Sequence, residues 1–225
     1  MSAIPQDQRS SDRPRLYSNL RYTASGIPYI TLPLGEPIYL TPIYQTDIPT
    51  LQETLSIQSL AENLISVPQP YTLSDAKFWV DLQLTGTCNL PIQVIRASHP
   101  ETGPLIGSVA LTSLASNAME AFRDNMAKLH GKEGEYELGY YLHPGWTGKG
   151  IMTAAVREIV AWGRAQYDAS VIVRVAEENQ QSMKVVERFG EFVRDEEMDD
   201  WEDWPEIKGG GKRKVLLWRW QYRDA

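Results

Sequence analysis

The stretch Glu135-Tyr136-Glu137-Leu138-Gly139-Tyr140-Tyr141-Leu142-His143-Pro144-Gly145-Trp146-Thr147-Gly148-Lys149-Gly150-Ile151-Met152-Thr153-Ala154-Ala155-Val156-Arg157-Glu158-Ile159-Val160 passes through three kinds of chain in succession. Glu135 to His143 has strand character, and Pro144 to Gly150 is a glycine-rich turn. Beyond it Met152, Ala155, Val156, Ile159, Val160 and Gly163 recur at i, i+3, i+4, i+7 spacing, which predicts a helix with one buried face. Gly145, Gly148 and Gly150 let main-chain N–H groups approach an anion closely, and the helix start adds its partial positive charge. The turn therefore reads as a phosphate or pyrophosphate cradle, with a purely steric need for glycine as the alternative. A P-loop is excluded, because His143 stands where its first glycine belongs and Gly150 where it needs Ser or Thr. A dinucleotide fingerprint starting at Gly148 fails at Thr153.

Upstream, Ile38 to Tyr44 reads as a strand, and Asp47 is expected to cap a helix through Leu51 and Leu55 that ends before Pro68 and Pro70. Ser74 is expected to cap a second helix carrying Phe78, Leu82 and Leu84. Ile92 to Ala97 and Leu105 to Leu111 flank the turn signal of residues 99–104 and predict a hairpin. Residues 113–134 read as a polar excursion with one helical turn around Met119 to Met126. Downstream, Val171 to Ala176 has a buried-strand pattern, Asn179 to Phe189 predicts a helix closed by Gly190, and strands follow from Val193 and over Val215 to Tyr222. This order predicts an α/β chain whose mixed sheet has about seven strands flanked by helices. Residues 1–35 are expected as a flexible tail, because Pro5, Asp7, Asp12 and Pro14 spoil an amphipathic helix, and residues 36–225 as a single domain.

With 42% hydrophobic and 23% charged residues, the 225-residue chain has enough apolar material for one sizeable core. Its 22 Lys and Arg against 29 Asp and Glu give a net charge of -7, which argues against phosphate neutralisation and direct nucleic-acid binding. The single cysteine, Cys88, forms no internal disulfide, and with only three histidines no metal centre is expected. No run approaches the roughly 18 apolar residues of a membrane helix, and the first 20 residues contain no apolar block suited to a secretory signal. A cytoplasmic protein without membrane partners is expected, with the nucleus left open.

Three motifs follow one another in a recognisable order: Glu137-Leu138-Gly139-Tyr140-Tyr141-Leu142, Gly148-Lys149-Gly150-Ile151-Met152-Thr153, and Asn179-x-x-Ser182 through Glu187-Arg188-x-Gly190. Together they resemble the GNAT N-acetyltransferases. Pro70-Tyr71-Thr72 with Asp75-Ala76 and Trp79 is similar to the RimJ/RimL-like branch, so the resemblance spans about Ile38 to Tyr222. It implies a GNAT fold, mostly antiparallel, splayed between the fourth and fifth of the predicted strands, which end at His143 and start near Val171. It also implies acetyl-CoA as cosubstrate, no metal, and direct attack of an amine on the thioester. Gly145, Trp146, Thr147, Gly148, Lys149, Gly150, Ile151 and Met152 would hold the pyrophosphate, and the strand through Leu138, Tyr140 and Leu142 would pair with the pantetheine arm. Asn179 and Ser182 would border the same cofactor.

The sequence departs from the family pattern in three places. Gly145 stands where the signature begins with Arg or Gln, so a side-chain contact to phosphate is lost. Val186 stands where many members carry the tyrosine that protonates the thiolate; RimL-like members place a serine nearby, which nominates Ser182. Asn179 as helix cap and Ser182 as an ordinary first-turn residue is the equal alternative. Glu191 replaces the usual aromatic after Gly190. For the general base, Glu135 and Glu137 share one strand face and are the candidates to carry a proton away through water, with solvent-facing strand glutamates as the competing reading and His143 as a minor alternative base.

Asp195 to Glu206 holds eight carboxylates, and Lys208 to Lys214 follows with four bases. Without those acids the balance is 22 bases against 29 − 8 = 21 acids, so the excess negative charge is local. The connection between the last two strands borders the acceptor entrance in the GNAT fold, so Trp201, Trp204 and the carboxylates are candidates to recruit a cationic amine. Pairing of the acidic half with its own basic half is the alternative. The preferred acceptor is a peptide or protein α-amino group. A small cationic amine such as a polyamine, and a non-catalytic acyl-CoA-binding module, are the other readings. Oligomeric state is open.

Overall fold

The computed structural model describes residues 17–85, 89–115 and 133–222. Its strands are β1 (Leu20–Tyr22), β2 (Pro28–Thr31), β3 (Ile38–Thr41), β4 (Val94–Ala97), β5 (Leu105–Ser113), β6 (Glu135–Leu142), β7 (Ser170–Ala176), β8 (Phe192–Arg194), β9 (Asp200–Asp203) and β10 (Lys212–Trp220). Its helices are α1 (Ile48–Leu55), α2 (Gln58–Ala61), α3 (Leu73–Leu84), α4 (Ile151–Tyr167) and α5 (Gln180–Val186). The order across the sheet is β1-β2-β3-β4-β5-β6-β7-β10-β8, with β9 also on β10. Every described pairing is antiparallel except β6 with β7. That one parallel step follows from the connection: α4 crosses over between β6 and β7, and a crossover helix returns the chain in the same direction.

The sheet has ten strands rather than the expected seven. The additions are β1, β2 and β9, each of three or four residues and too short to show a period in sequence. Residues 17–35, expected as part of a tail, instead form the sheet's outer edge. Ile30 and Leu32 join the main core, and Tyr17 and Asn19 both donate to the Glu158 carboxylate of α4. Residues 1–16, Cys88 and the turn expected near Met119 to Met126 lie outside the described residues.

Two cores sit on opposite faces of the sheet. One packs the predicted face of α4, with Met152, Ala155, Val156, Ile159 and Val160, against Ile95, Val109, Leu138, Val171 and Val173. Each of these buried Met, Val, Ile and Leu side chains contributes about 1.5–3 kcal/mol. The other core packs Leu51 and Leu55 of α1 and Ala76 and Val80 of α3 against Val94, Leu105 and Tyr141. Two local expectations change here. Thr72, not Ser74, caps α3, in a reciprocal capping box with Asp75, and this rotates Ala76, Val80 and Gln83 inward while Phe78 and Leu84 face solvent. Asp47 makes no side-chain cap bond to α1, because the buried Arg96 guanidinium takes both of its oxygens, at 2.8 and 2.7 Å.

Candidate active site

β6 and β7 are paired only from Glu135 to Glu137 and from Ser170 to Ile172. Beyond that point they part, and a cleft of about 1080 Å³ opens between them. Leu138 to Leu142 remain paired to β5 along one edge, so main-chain groups on their other edge turn toward the cleft. Alternation divides the β6 side chains. Leu138, Tyr140 and Leu142 join the α4 core, while Tyr141 joins the core of α1 and α3.

At one end of the cleft stands the start of α4. Gly148 and Gly150 have φ of +78° and +75°, the left-handed region, and a Cβ at either would project into open space. Gly150 is the N-cap, and the first-turn amides of a helix have no partner within it, so an approaching anion meets bare N–H groups here. Thr147, Gly148, Gly150, Ile151 and Met152 all line the cleft. The cradle is narrower than the sequence reading, because its first amides are already used. The Gly145 amide donates to His143 Nδ1 at 3.1 Å, Trp146 N to the His143 carbonyl at 2.9 Å, and Thr147 N to the Pro144 carbonyl at 3.2 Å. Gly145, Trp146 and Lys149 are not among the cleft-lining residues. Trp146 packs on the main core beneath Lys149, whose ammonium lies 4.8 Å above its ring. A cation does reach this end from another element: Arg188, just after α5, donates to Thr153 Oγ1 in the first turn of α4 at 3.0 Å.

At the other end, on the face toward α1 and α3, Arg174 of β7 lies between two carboxylates. Its Nε is 3.1 Å from Glu137 Oε1, and its Nη1 donates to Glu202 of β9. Glu202 is 8% exposed. Burial pushes its carboxyl above the usual range, and Arg174 offsets only part of that effect. Burial also lowers Arg174, but Glu137 and Glu202 outweigh it and hold the guanidinium charged. Glu135 sits apart: it pairs with Arg219 at 2.6 Å, which also binds Asp195, and it is not among the cleft-lining residues.

Ser182 occupies the first-turn position that stood as the alternative to a proton donor. It is a first-turn residue of α5 whose amide donates to Asn179 Oδ1 at 3.1 Å, and it also lines the cleft. Tyr140 Oη donates to the Ser182 carbonyl at 3.2 Å, and burial raises the phenol to about 12, so it keeps its proton. Sequence reading missed Arg174 and Glu202. The available signal for Arg174 was one charged side chain inside the β-branched run Val171 to Ala176. Glu202 was hidden among seven other acids.

Three of those acids are engaged in ion pairs in and beside the hairpin. Asp195 pairs with Arg219, Asp199 with Arg194 and Lys214, and Asp203 with Lys212. Trp204 is 6% exposed and donates to the Glu62 carbonyl, whereas Trp201 is 60% exposed and lies off the cleft. Among the described residues no group of three or more His, Cys, Asp or Glu is disposed to hold a metal, and no helix is long and apolar enough to cross a membrane.

A family model described as an acetyltransferase (GNAT) domain matches residues 38–191, more than half of the chain. Solved structures agree in fold at low identity. RimL, described as a ribosomal L7/L12 α-N-protein acetyltransferase, aligns with 15% identity and a TM-score of 0.60 over 90% of this chain and 99% of its own. Spermidine N-acetyltransferase from Vibrio cholerae, in complex with CoA and spermine, aligns with 14% identity and a TM-score of 0.60 over 81% of this chain and 94% of its own. Mycobacterium smegmatis RimJ, in complex with a CoA disulfide, aligns with 17% identity and a TM-score of 0.60 over 86% of this chain and 85% of its own. No curated protein matches the chain by sequence.

Proposed function

The chain belongs to the GNAT acetyltransferase family, and from that premise we propose that it uses acetyl-CoA to acetylate the α-amino group of a protein or peptide. The observation that carries this reading is the cleft where β6 and β7 part, with an anion-receptive helix start at one end and the Glu137, Arg174, Glu202 cluster at the other. Acetyl-CoA supplies an acetyl group activated as a thioester. The amides from Gly148 to Thr153 hold its pyrophosphate, aided by Arg188, and the free edge of Leu138 to Leu142 binds the extended arm as a further strand would. Asn179 fixes the start of α5 beside it.

Glu202 takes the proton from the incoming ammonium. Its buried carboxyl has a raised proton affinity, which suits a base that must accept a proton near neutral pH. Glu137 holds Arg174 in place, and Ser182, directly or through water, passes a proton to the departing sulfur and regains one from the newly bonded nitrogen, which leaves a neutral amide and a free thiol. Tyr140 locks the Ser182 carbonyl and so orients that turn.

Charge supports a peptide terminus as acceptor. Within the cluster at that end, Glu137 and Glu202 outnumber Arg174 by one, which matches a single ammonium better than several. A polyamine is the second reading, supported by the fold shared with the spermidine enzyme. Thiol release from acetyl-CoA, measured with N-terminal peptides and with spermidine and spermine, separates them. Turnover on peptides is the expected outcome, turnover confined to polyamines transfers the assignment, and CoA binding without turnover on any amine leaves a binding module.

A further inference from the structure

The cleft wall facing β6 on the acceptor side is built from residues 59–66, including Ser59, Asn63, Ile65 and Ser66. This wall has little structure of its own. α2 spans only four residues and gives way to turns, and so short a helix is unstable without tertiary support. Leu60 and Leu64 anchor it on the core of α1 and α3, and its main chain is held from about 140 residues further along the chain. Lys208 Nζ donates to the carbonyls of Leu64, Ile65 and Val67, the second at 3.2 Å, and Trp204 Nε1 donates to the Glu62 carbonyl at 3.0 Å. Lys208 is 4% exposed. Arg213 in turn donates to the Lys208 carbonyl at 2.9 Å and stacks 4.3 Å above the Trp204 ring.

Burying an ammonium is costly, and an apolar side chain of similar length would fill the same space more cheaply. What the ammonium adds is three donors on one point, each taken by a carbonyl of a single irregular segment. Its effect is to fix a main-chain path, and that path is the wall of the cleft.

We propose that Lys208 and Trp204 are positioning residues for the acceptor: through the carbonyls of residues 62–67 they set the shape of the wall against which the amine-bearing chain lies. The β9–β10 hairpin then governs acceptor fit through hydrogen bonds at its base, not through its exposed carboxylates. This assignment rests on the acetyltransferase reading given above. It predicts a split effect. Lys208→Met and the milder Trp204→Phe, which keeps the ring and loses only the N–H, each raise the acceptor KM at least fivefold. The kcat and the Kd for CoA stay within twofold of the unaltered enzyme, because the hydrogen bonds removed run to the carbonyls of residues 62–67 and not to β6, β7 or the start of α4.

Steady-state kinetics on the full chain with the best peptide, together with CoA titration, make the test. If Lys208→Met does not fold, Trp204→Phe decides alone. An active enzyme whose folded variants keep the acceptor KM within twofold, or lose kcat and CoA affinity along with it, overturns this assignment only. An unaltered chain that acetylates no amine overturns the acetyltransferase reading, and this assignment with it.

Discussion

The two ends of the cleft are made in different ways. The end at α4 comes from one continuous stretch, residues 147–153, in which two glycines with positive φ and a helix start present amides by local geometry alone. The end around Glu202 is assembled from β6, β7, β9 and the 59–66 wall, and it is held by ion pairs and hydrogen bonds between residues far apart in sequence. A locally encoded site survives changes elsewhere in the fold. An assembled one depends on every element that supplies a side chain, so its residues are individually sensitive and individually hard to foresee.

The sharpest way to break this contrast is at Glu202. Glu202→Gln is expected to lower kcat by about 100-fold or more, the usual range for removing a general base, with CoA affinity unchanged in a titration. If Glu137→Gln takes the larger loss instead, proton removal belongs to β6 and the site is more local than argued above. Gly150→Val attacks the other end. The side chain would occupy the open space and strain a left-handed residue, so CoA affinity is expected to fall about tenfold or more while the acceptor KM holds. Calorimetric titration checks it.

Ser182→Ala is expected to cost about tenfold in kcat, less than the roughly 100-fold or more typical of a positioned acid or base, because a thiolate leaves readily and water can protonate it. A larger loss in Tyr140→Phe would move the donor role to the phenol. The smallest effect lies in the hairpin, where Asp199→Asn removes a carboxylate that Arg194 holds below the usual range. A depressed carboxyl stabilises the fold above its unfolded pKa, and that contribution is lost as pH falls through the folded value. Denaturant unfolding should therefore show a deficit of about 1 kcal/mol at neutral pH that disappears in acid.

The strand, turn and helix from Glu135 to Val160 were legible because side-chain periodicity and glycine placement are properties of contiguous residues. Asn179 and Ser182 were legible for the same reason, since a helix cap is a three-residue event. Glu135 and Glu137 illustrate the limit. They share a strand face, yet one meets Arg219 outside the cleft and the other Arg174 within it, and partners on β10 and β7 decide that difference. The acidic block left two readings open from the sequence, recruitment of a cation and pairing within the hairpin; Asp195, Asp199 and Asp203 have cationic partners, and Glu202 is the member of the block that lines the cleft.

By itself the sequence determined the α/β order, the glycine turn between strand and helix, and the face of α4 that enters the core. Each of these follows from the period and steric freedom of neighbouring residues. Only the tertiary structure decided that Gly145 spends its amide on His143, that β1 and β2 extend the sheet, that Arg174 lies between Glu137 and Glu202, and that Glu202 and Lys208 become buried. Burial is a property of what packs around a side chain, and proton affinity and hydrogen-bond direction follow from burial. No reading of neighbours along the chain contains that information.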